Sequence, residues 1–257
     1  MLTPPEIARS LFAAGESKAR LPFGKMLLLA ILAGAYIALA GVGATAAAVT
    51  VESGSLAKLL SACVFPAGLS MVILAGSELF TGNCLMVMAL LERRITPAQL
   101  LRNWLTVYLG NAVGGAAVAA LAVYSHTASL FGDGLARSMV SIAESKAALG
   151  FGDAFLRGVL CNFLVCLAVW MAAASKRAEG KVIALFFPIL LFVLCGYEHC
   201  IANLYYLPAG AFAAAEYGVE TTLTLAGCLK NLAAVTLGNL VGGAALGVGY
   251  RFAYLKE

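Results

Sequence analysis

Three ionisable side chains sit inside otherwise charge-free apolar stretches of this sequence: Glu78, Glu198 and His199. They belong to two related strings. Gly76-Ser-Glu78-Leu-Phe-Thr-Gly-Asn83 and Gly196-Tyr-Glu198-His-Cys-Ile-Ala-Asn203 share the pattern G-x-E-x-x-x-x-N at an offset of 120 residues. An ionisable group in an apolar membrane environment is costly, which makes it a functional candidate by default. The two glutamates could be substrate carboxylates or structural supports. A carboxylate in the path of an anion repels it, so the expected role is support. With Asn83 and Asn203, Glu78 and Glu198 would brace irregular backbone by accepting from N–H groups left without helical partners. His199 differs, because the equivalent residue of the first string is Leu79. The repeat does not require an imidazole there, and an imidazole can donate a hydrogen bond to an anion or exchange a proton with it. Thr81 offers a hydroxyl from the opposite string. A histidine, a hydroxyl and apolar walls suit a small weak-acid anion. They do not suit a metal ion, which needs a cluster of ligands, nor a large sugar or nucleotide.

The elements that must hold these groups follow from composition. The chain has 257 residues, 62% hydrophobic and 12% charged, against about a quarter charged in soluble proteins. The runs Met26–Val51, Asn103–Gly132, Gly158–Ser175 and Asn231–Tyr250 contain no Asp, Glu, Lys or Arg. Each reaches or approaches the ~20 apolar residues of a spanning helix. Two further segments, Leu59–Leu91 and Val182–Ala215, are 33 and 34 residues long and are interrupted only by Glu78 and Glu198. As unbroken helices they would reach roughly 50 Å, against a hydrocarbon core of about 30 Å. Each polar interruption opens with a glycine, so each segment is expected to be a broken helix. Irregular backbone at membrane depth is tolerated only where it is buried in protein or lines a cavity.

The expected fold is therefore an all-α integral membrane protein of six segments: Met26–Thr50, a broken helix around Gly76–Asn83, Trp104–Tyr124, Ala154–Ala174, a broken helix around Gly196–Asn203, and Asn231–Gly249. Leu109-Gly-Asn-Ala-Val-Gly-Gly-Ala-Ala117 and Leu237-Gly-Asn-Leu-Val-Gly-Gly-Ala-Ala245 differ at one position, and Phe23-Gly24 recurs as Phe151-Gly152, both at an offset of 128. Three matches in one order mark two halves, and three spans per half turn the second upside down, the inverted-repeat plan of many transporters. The small residues of the Gly110 and Gly238 stretches read as helix-packing surface. The organisation is an amino-terminal amphipathic segment over 1–25, a first repeat over 26–124, an outer loop over 125–153, a second repeat over 154–250 and a tail over 251–257. With the amino terminus inside, the cytoplasmic side carries 12 of the 17 Lys and Arg, which predicts a multi-pass inner (plasma) membrane protein with both termini cytoplasmic. Lys58, Arg137, Lys146, Arg157 and Lys230 then lie on the outer side. The seven cysteines form no C-x-x-C pair and read as small buried hydrophobes, with no cofactor or metal implied.

At these residues the chain resembles the formate/nitrite transporter family, whose members include formate, nitrite and hydrosulfide channels. The matching stretches are Gly76-Ser-Glu-Leu-Phe-Thr-Gly82, Arg102-Asn-Trp104, Tyr108-Leu-Gly-Asn111, Asn162–Met171 and Gly196–Asn203. The resemblance implies an aquaporin-like fold and a homo-pentamer, each protomer with its own pore. It implies that His199 is the central pore histidine, Thr81 its partner, Lys146 the outer-vestibule lysine that draws anions in and Asn162 the pore asparagine. Phe65, Leu69, Leu79, Phe80, Val165 and Phe192 match the apolar constriction. The amino-terminal segment resembles the family's pH-responsive cytoplasmic gate. The anion implied is formate or nitrite, with hydrosulfide as the alternative. A proton-coupled weak-acid symporter would use the same pore. Cys200 stands where serine is common in relatives. A neutral-solute pore of aquaporin type would carry paired Asn-Pro-Ala motifs, which this chain lacks. An intramembrane enzyme would need a nucleophile, and none is evident.

Overall fold

The computed structural model describes residues 1–255, which form helices and turns without strands. In chain order the helices are α1 (Pro4–Ala19), α2 (Phe23–Ala48), α3 (Gly54–Val64), α4 (Pro66–Ala75), α5 (Phe80–Asn83), α6 (Val87–Leu91), α7 (Pro97–Tyr124), α8 (Gly134–Ala148), α9 (Phe151–Ala173), α10 (Ala178–Leu194), α11 (Cys200–Tyr217) and α12 (Leu225–Tyr254). Local sequence sets the ends. Thr96 opens α7 as an N-cap whose hydroxyl accepts from Gln99 N, with the Gln99 side chain returning to the Thr96 N–H and Pro97 at the first helical position. Pro66, which has no N–H to give, divides α3 from α4.

Among the described residues, five continuous stretches are long and apolar enough to cross a membrane: α2, α3 with α4, α7, α9 and α12. The remaining span is split into α10 and α11, of 17 and 18 residues. Both breaks occur where the sequence requires them. They are shorter than expected, because Phe80 and Cys200 are already helical, so that Thr81, Asn83 and Asn203 stand on the first turns of α5 and α11 rather than in loops. The spans also extend past the charge-free runs: α7 begins at Pro97 and α12 at Leu225. The fold is the aquaporin-like arrangement of six segments in two inverted repeats.

α7 packs on α2 as α12 packs on α9. The small residues permit this. A Cβ on Gly114 would collide with the Ile31 carbonyl, and one on Gly242 with the Val159 carbonyl, two contacts related by the 128-residue offset. On the opposite helix faces Leu105, Leu109, Leu121 and Leu237 are exposed, as lipid-facing or subunit-facing positions are.

The amino-terminal segment and the outer loop each contribute a helix that follows the repeat. α1 and α8 are equivalents. Glu16-Ser-Lys-Ala19 and Glu144-Ser-Lys-Ala147 are identical at the same 128-residue offset, and each helix leads into its repeat's first span. Each repeat therefore opens with a short amphipathic helix. The tail also differs, since α12 continues through Arg251 to Tyr254 and Arg251 Nε pairs with Glu92 Oε1 at 2.8 Å. Lys256 and Glu257 lie outside the described residues.

Candidate functional site

Gly76, the C-cap of α4, and Gly196, one residue past the Cys195 C-cap of α10, have φ of +79° and +69°, a conformation that costs glycine little and other residues more. The chain then runs extended to Leu79 and His199, the N-caps of α5 and α11. The exposed N–H groups of the two breaks have matched partners. Glu78 N donates to the Leu29 carbonyl at 3.2 Å and Glu198 N to the Arg157 carbonyl at 3.3 Å. Phe80 N donates to Asn111 Oδ1 at 3.0 Å and Cys200 N to Asn239 Oδ1 at 2.9 Å.

Contrary to the expectation for Glu78 and Glu198, the glutamates do not accept from the backbone of the breaks. Asn111 and Asn239, read earlier as part of a packing surface, do that work. The Nδ2 of Asn111 donates to the carbonyls of Ala30 and Glu78, and that of Asn239 to those of Gly158 and Glu198. The breaks lie flush against α7 and α12, so an amide on those helices reaches both polarities of the unwound backbone at once. The only sequence signal was the asparagine inside each Leu-Gly-Asn string.

The carboxylates face the other way. Glu78 Oε2 accepts from Asn83 Nδ2 at 2.7 Å and Oε1 from Lys18 Nζ at 2.8 Å. Glu198 Oε2 accepts from Asn203 Nδ2 at 2.7 Å and Oε1 from Lys146 Nζ at 2.9 Å. Asn103 and Asn231 extend the two networks by accepting from Asn83 and Asn203. Each break thus carries a lysine–glutamate–asparagine set, the lysine supplied by α1 in one half and α8 in the other. Lys18 was missed as a site residue. The two sets differ in one respect: Lys18 also donates to Asn83 Oδ1 at 2.9 Å, whereas Asn203 Oδ1 is buried without a partner.

Between the two sets, Thr81 Oγ1 meets His199 Nε2 at 3.0 Å. Both are buried. His199 Nδ1 accepts from Ala202 N at 3.1 Å, which occupies its lone pair. That bond assigns the neutral tautomer with the proton on Nε2, so Nε2–H donates and Thr81 Oγ1 accepts. Asn162 is fully buried and faces neither vestibule. Its Nδ2 donates to the carbonyls of Thr81 at 3.2 Å and Asn239 at 2.7 Å, and Cys166 Sγ also donates to the Thr81 carbonyl. Asn162 therefore holds Thr81 in place.

Two cavities approach this contact from opposite sides and share no lining residue. One, of about 350 Å³, includes Lys146, Glu198, Tyr206, Phe65, Phe192 and His199 in its walls. Phe65 and Phe192 meet edge to face at 5.7 Å, and Phe192 stacks on the His199 ring at 5.8 Å. The other, of about 340 Å³, ends on Leu69, Val72 and Leu79 beneath Lys18 and Glu78. Phe80 and Val165 line neither cavity. Phe80 packs against Trp104 and Tyr108, and Val165 is buried in the same core.

A helical membrane protein whose inverted halves bring two broken helices together at a buried polar contact, with a vestibule on each side, belongs to the class of channels and transporters. The comparisons narrow this. The formate/nitrite transporter family model matches residues 5–253, and the chain belongs to that family. It is 38% identical to a probable formate transporter of Methanothermobacter thermautotrophicus over 99% of this chain and 98% of the relative. It is 40% identical to the formate channel FocA of Haemophilus influenzae over 86% and 84%. Among solved structures, an FNT family ion channel superposes with a TM-score of 0.86 at 32% identity, covering 96% of this chain and 98% of the other. A pentameric formate channel with formate bound superposes with a TM-score of 0.80 at 32% identity, covering 91% and 98%.

Proposed function

We propose that this protein conducts small monovalent weak-acid anions, formate or nitrite foremost, through a pore in each protomer of a pentamer. Lys146 and Lys18 mark the two mouths, Phe65 with Phe192 and Leu69 with Leu79 form apolar constrictions, and His199 with Thr81 is the polar station between them. The observation that carries this reading is the His199–Thr81 contact of 3.0 Å, which joins the two half-helices between two apolar barriers. An anion arriving there can replace Thr81 as the acceptor of the His199 Nε2 proton. An ion crosses an apolar slit at far higher cost than its neutral acid, so a proton taken up from water by the hydrogen-bonded anion, while His199 keeps its own Nε2 proton, lowers the barrier for weak acids selectively. Chloride, whose conjugate acid is strong, gains nothing from it. The similarity to a pentameric channel with formate bound supports both the assembly and the substrate class. The membrane is the inner (plasma) membrane and both termini are cytoplasmic, so that the Lys146 vestibule opens outward and α1 covers the inner mouth.

The test is flux into liposomes of formate, nitrite, hydrosulfide, lactate and chloride, for the unsubstituted protein and His199→Ala. Selective weak-acid flux that is lost or becomes unselective in the variant is expected. Undiminished selective flux in the variant would refute the role given to His199.

A further inference from the structure

The two vestibules are built alike in their lysine–glutamate–asparagine sets but differ in net charge. Lys146 and Lys18 are each committed to a glutamate, at 2.9 and 2.8 Å, so each pair presents a dipole rather than a free positive charge. Beside Glu198, however, the walls of the Lys146 vestibule carry two more cations, Lys58 on α3 and Arg157 on α9. Both residues are exposed and line the cavity, and among the described residues neither has an ion-pair partner. Lys146, Glu198 and Arg157 all lie within electrostatic reach of Lys58. Lining the Lys18 vestibule, Lys18 and Glu78 are the charged groups and they cancel. One mouth thus holds a surplus of two positive charges and the other holds none.

The inverted repeat shows that the fold does not demand these cations. Arg157 corresponds to Leu29 at the 128-residue offset, and each gives its backbone carbonyl to the N–H of a break glutamate. The backbone job is therefore done equally by a leucine. Lys58 corresponds to Ala178 at the 120-residue offset of the breaks. As with His199 against Leu79, the second chemistry appears only where the halves depart from one another.

We infer that Lys58 and Arg157 form an anion-loading site in the Lys146 vestibule, which holds a small carboxylate or oxyanion before it reaches Phe65 and Phe192 and makes the pore saturate at lower concentration from that face. A like-charged pair in a confined mouth concentrates counter-ions, and the effect falls with ionic strength. In the same wall the Ser61 and Ser145 hydroxyls donate to the carbonyls of Ala44 and Ser141, which leaves the Ser141 hydroxyl as a donor for an incompletely dehydrated anion. For a passive pathway the ratio of maximal flux to half-saturation concentration is the same in both directions at zero voltage. The site therefore shows in the half-saturation concentration of one face, not in a difference between the two directions in permeability at low substrate.

The inference rests on the anion-conducting reading. Its test uses formate flux at low ionic strength in vesicles whose sidedness is set by protease access to the termini. The expected result for Lys58→Ala with Arg157→Leu is a rise of about threefold to tenfold in half-saturation concentration from the Lys146 face, with the opposite face unchanged. Impermeant salt at about 0.5 M should abolish most of the difference, and Lys58→Arg with Arg157→Lys should retain it. Half-saturation concentrations that stay the same in an inserted, pentameric double variant, or that shift equally on both faces, would overturn the loading site while leaving anion conduction standing. Absence of saturable anion flux in the unsubstituted protein would overturn both.

Discussion

Replacing Asn239 by leucine, which has nearly the same shape, removes the amide that braces the second break. Three hydrogen bonds go: Cys200 N to Oδ1 at 2.9 Å, and Nδ2 to the carbonyls of Gly158 at 2.8 Å and Glu198 at 2.9 Å. The Gly158 carbonyl lies inside α9 and keeps its helical partner. The Cys200 N–H and the Glu198 carbonyl do not, and each buried group left unpaired costs about 1–3 kcal/mol. The predicted loss is about 2–6 kcal/mol, which for a chain of this size is a fall in Tm of roughly 5–20 °C. The assay is thermal unfolding of the purified protein in detergent, with Asn111→Leu as the matched variant of the other half. Asn239→Asp should not rescue, since it keeps an acceptor for Cys200 but turns an oxygen toward two carbonyls. A loss below about 1 kcal/mol for Asn239→Leu would refute the claim that this amide holds the break.

Three further outcomes follow from the same geometry. Lys146→Met leaves Glu198 buried without its cation and should cost about 3–5 kcal/mol, most of it recovered when Glu198→Gln is added; a double variant no more stable than the single one would contradict the pairing. Gly242→Val and Gly114→Val put a side chain onto the backbone of the facing helix and should yield no assembled protein, whereas Gly24→Ala, which meets open space, should express normally; equal yields would contradict the packing. The Thr3 backbone N–H and then the Thr3 hydroxyl hold the Glu6 carboxyl below its ordinary value. A depressed carboxyl stabilises α1 above the ordinary range, and the contribution is lost as pH falls through the lowered folded value. Hydrogen-exchange protection at the start of α1, taken relative to the intrinsic rate at each pH, should therefore fall as pH drops through that lowered value, and Glu6→Gln, which keeps the cap but cannot titrate, should flatten that dependence. Parallel pH profiles for the two proteins would contradict it.

The two breaks were legible in the sequence because length and polarity conflict there: a segment of 33 or 34 residues with one carboxylate cannot be a single spanning helix. The inverted halves were legible because close packing of α2 on α7 and α9 on α12 demands the same glycines twice. His199 stood out as a departure from the repeat. The lysine–glutamate pairing was not legible from patterning, since α1 and α8 are polar enough to stand as surface segments, and only the tertiary fold carries Lys18 to Glu78, 60 residues away. The identical Glu-Ser-Lys-Ala strings are the signal that would have disclosed it. The partners of the break N–H groups were also hidden, because an asparagine among small residues looks the same whether it packs or bonds. The role of Asn162 as a brace for Thr81 depends on the geometry of α5 against α9, which the spacing does not encode.

The central claim is that His199 presents an Nε2 proton to the anion at the middle of the pore. It is tested most directly by nitrogen-15 NMR of histidine-labelled protein carrying His126→Gln, so that His199 gives the only histidine signal. The account predicts the neutral Nε2–H tautomer at neutral pH, with an Nε2 shift that moves on saturation with formate or nitrite and stays fixed with chloride. An Nδ1–H tautomer, or an Nε2 signal indifferent to all three anions, would contradict it.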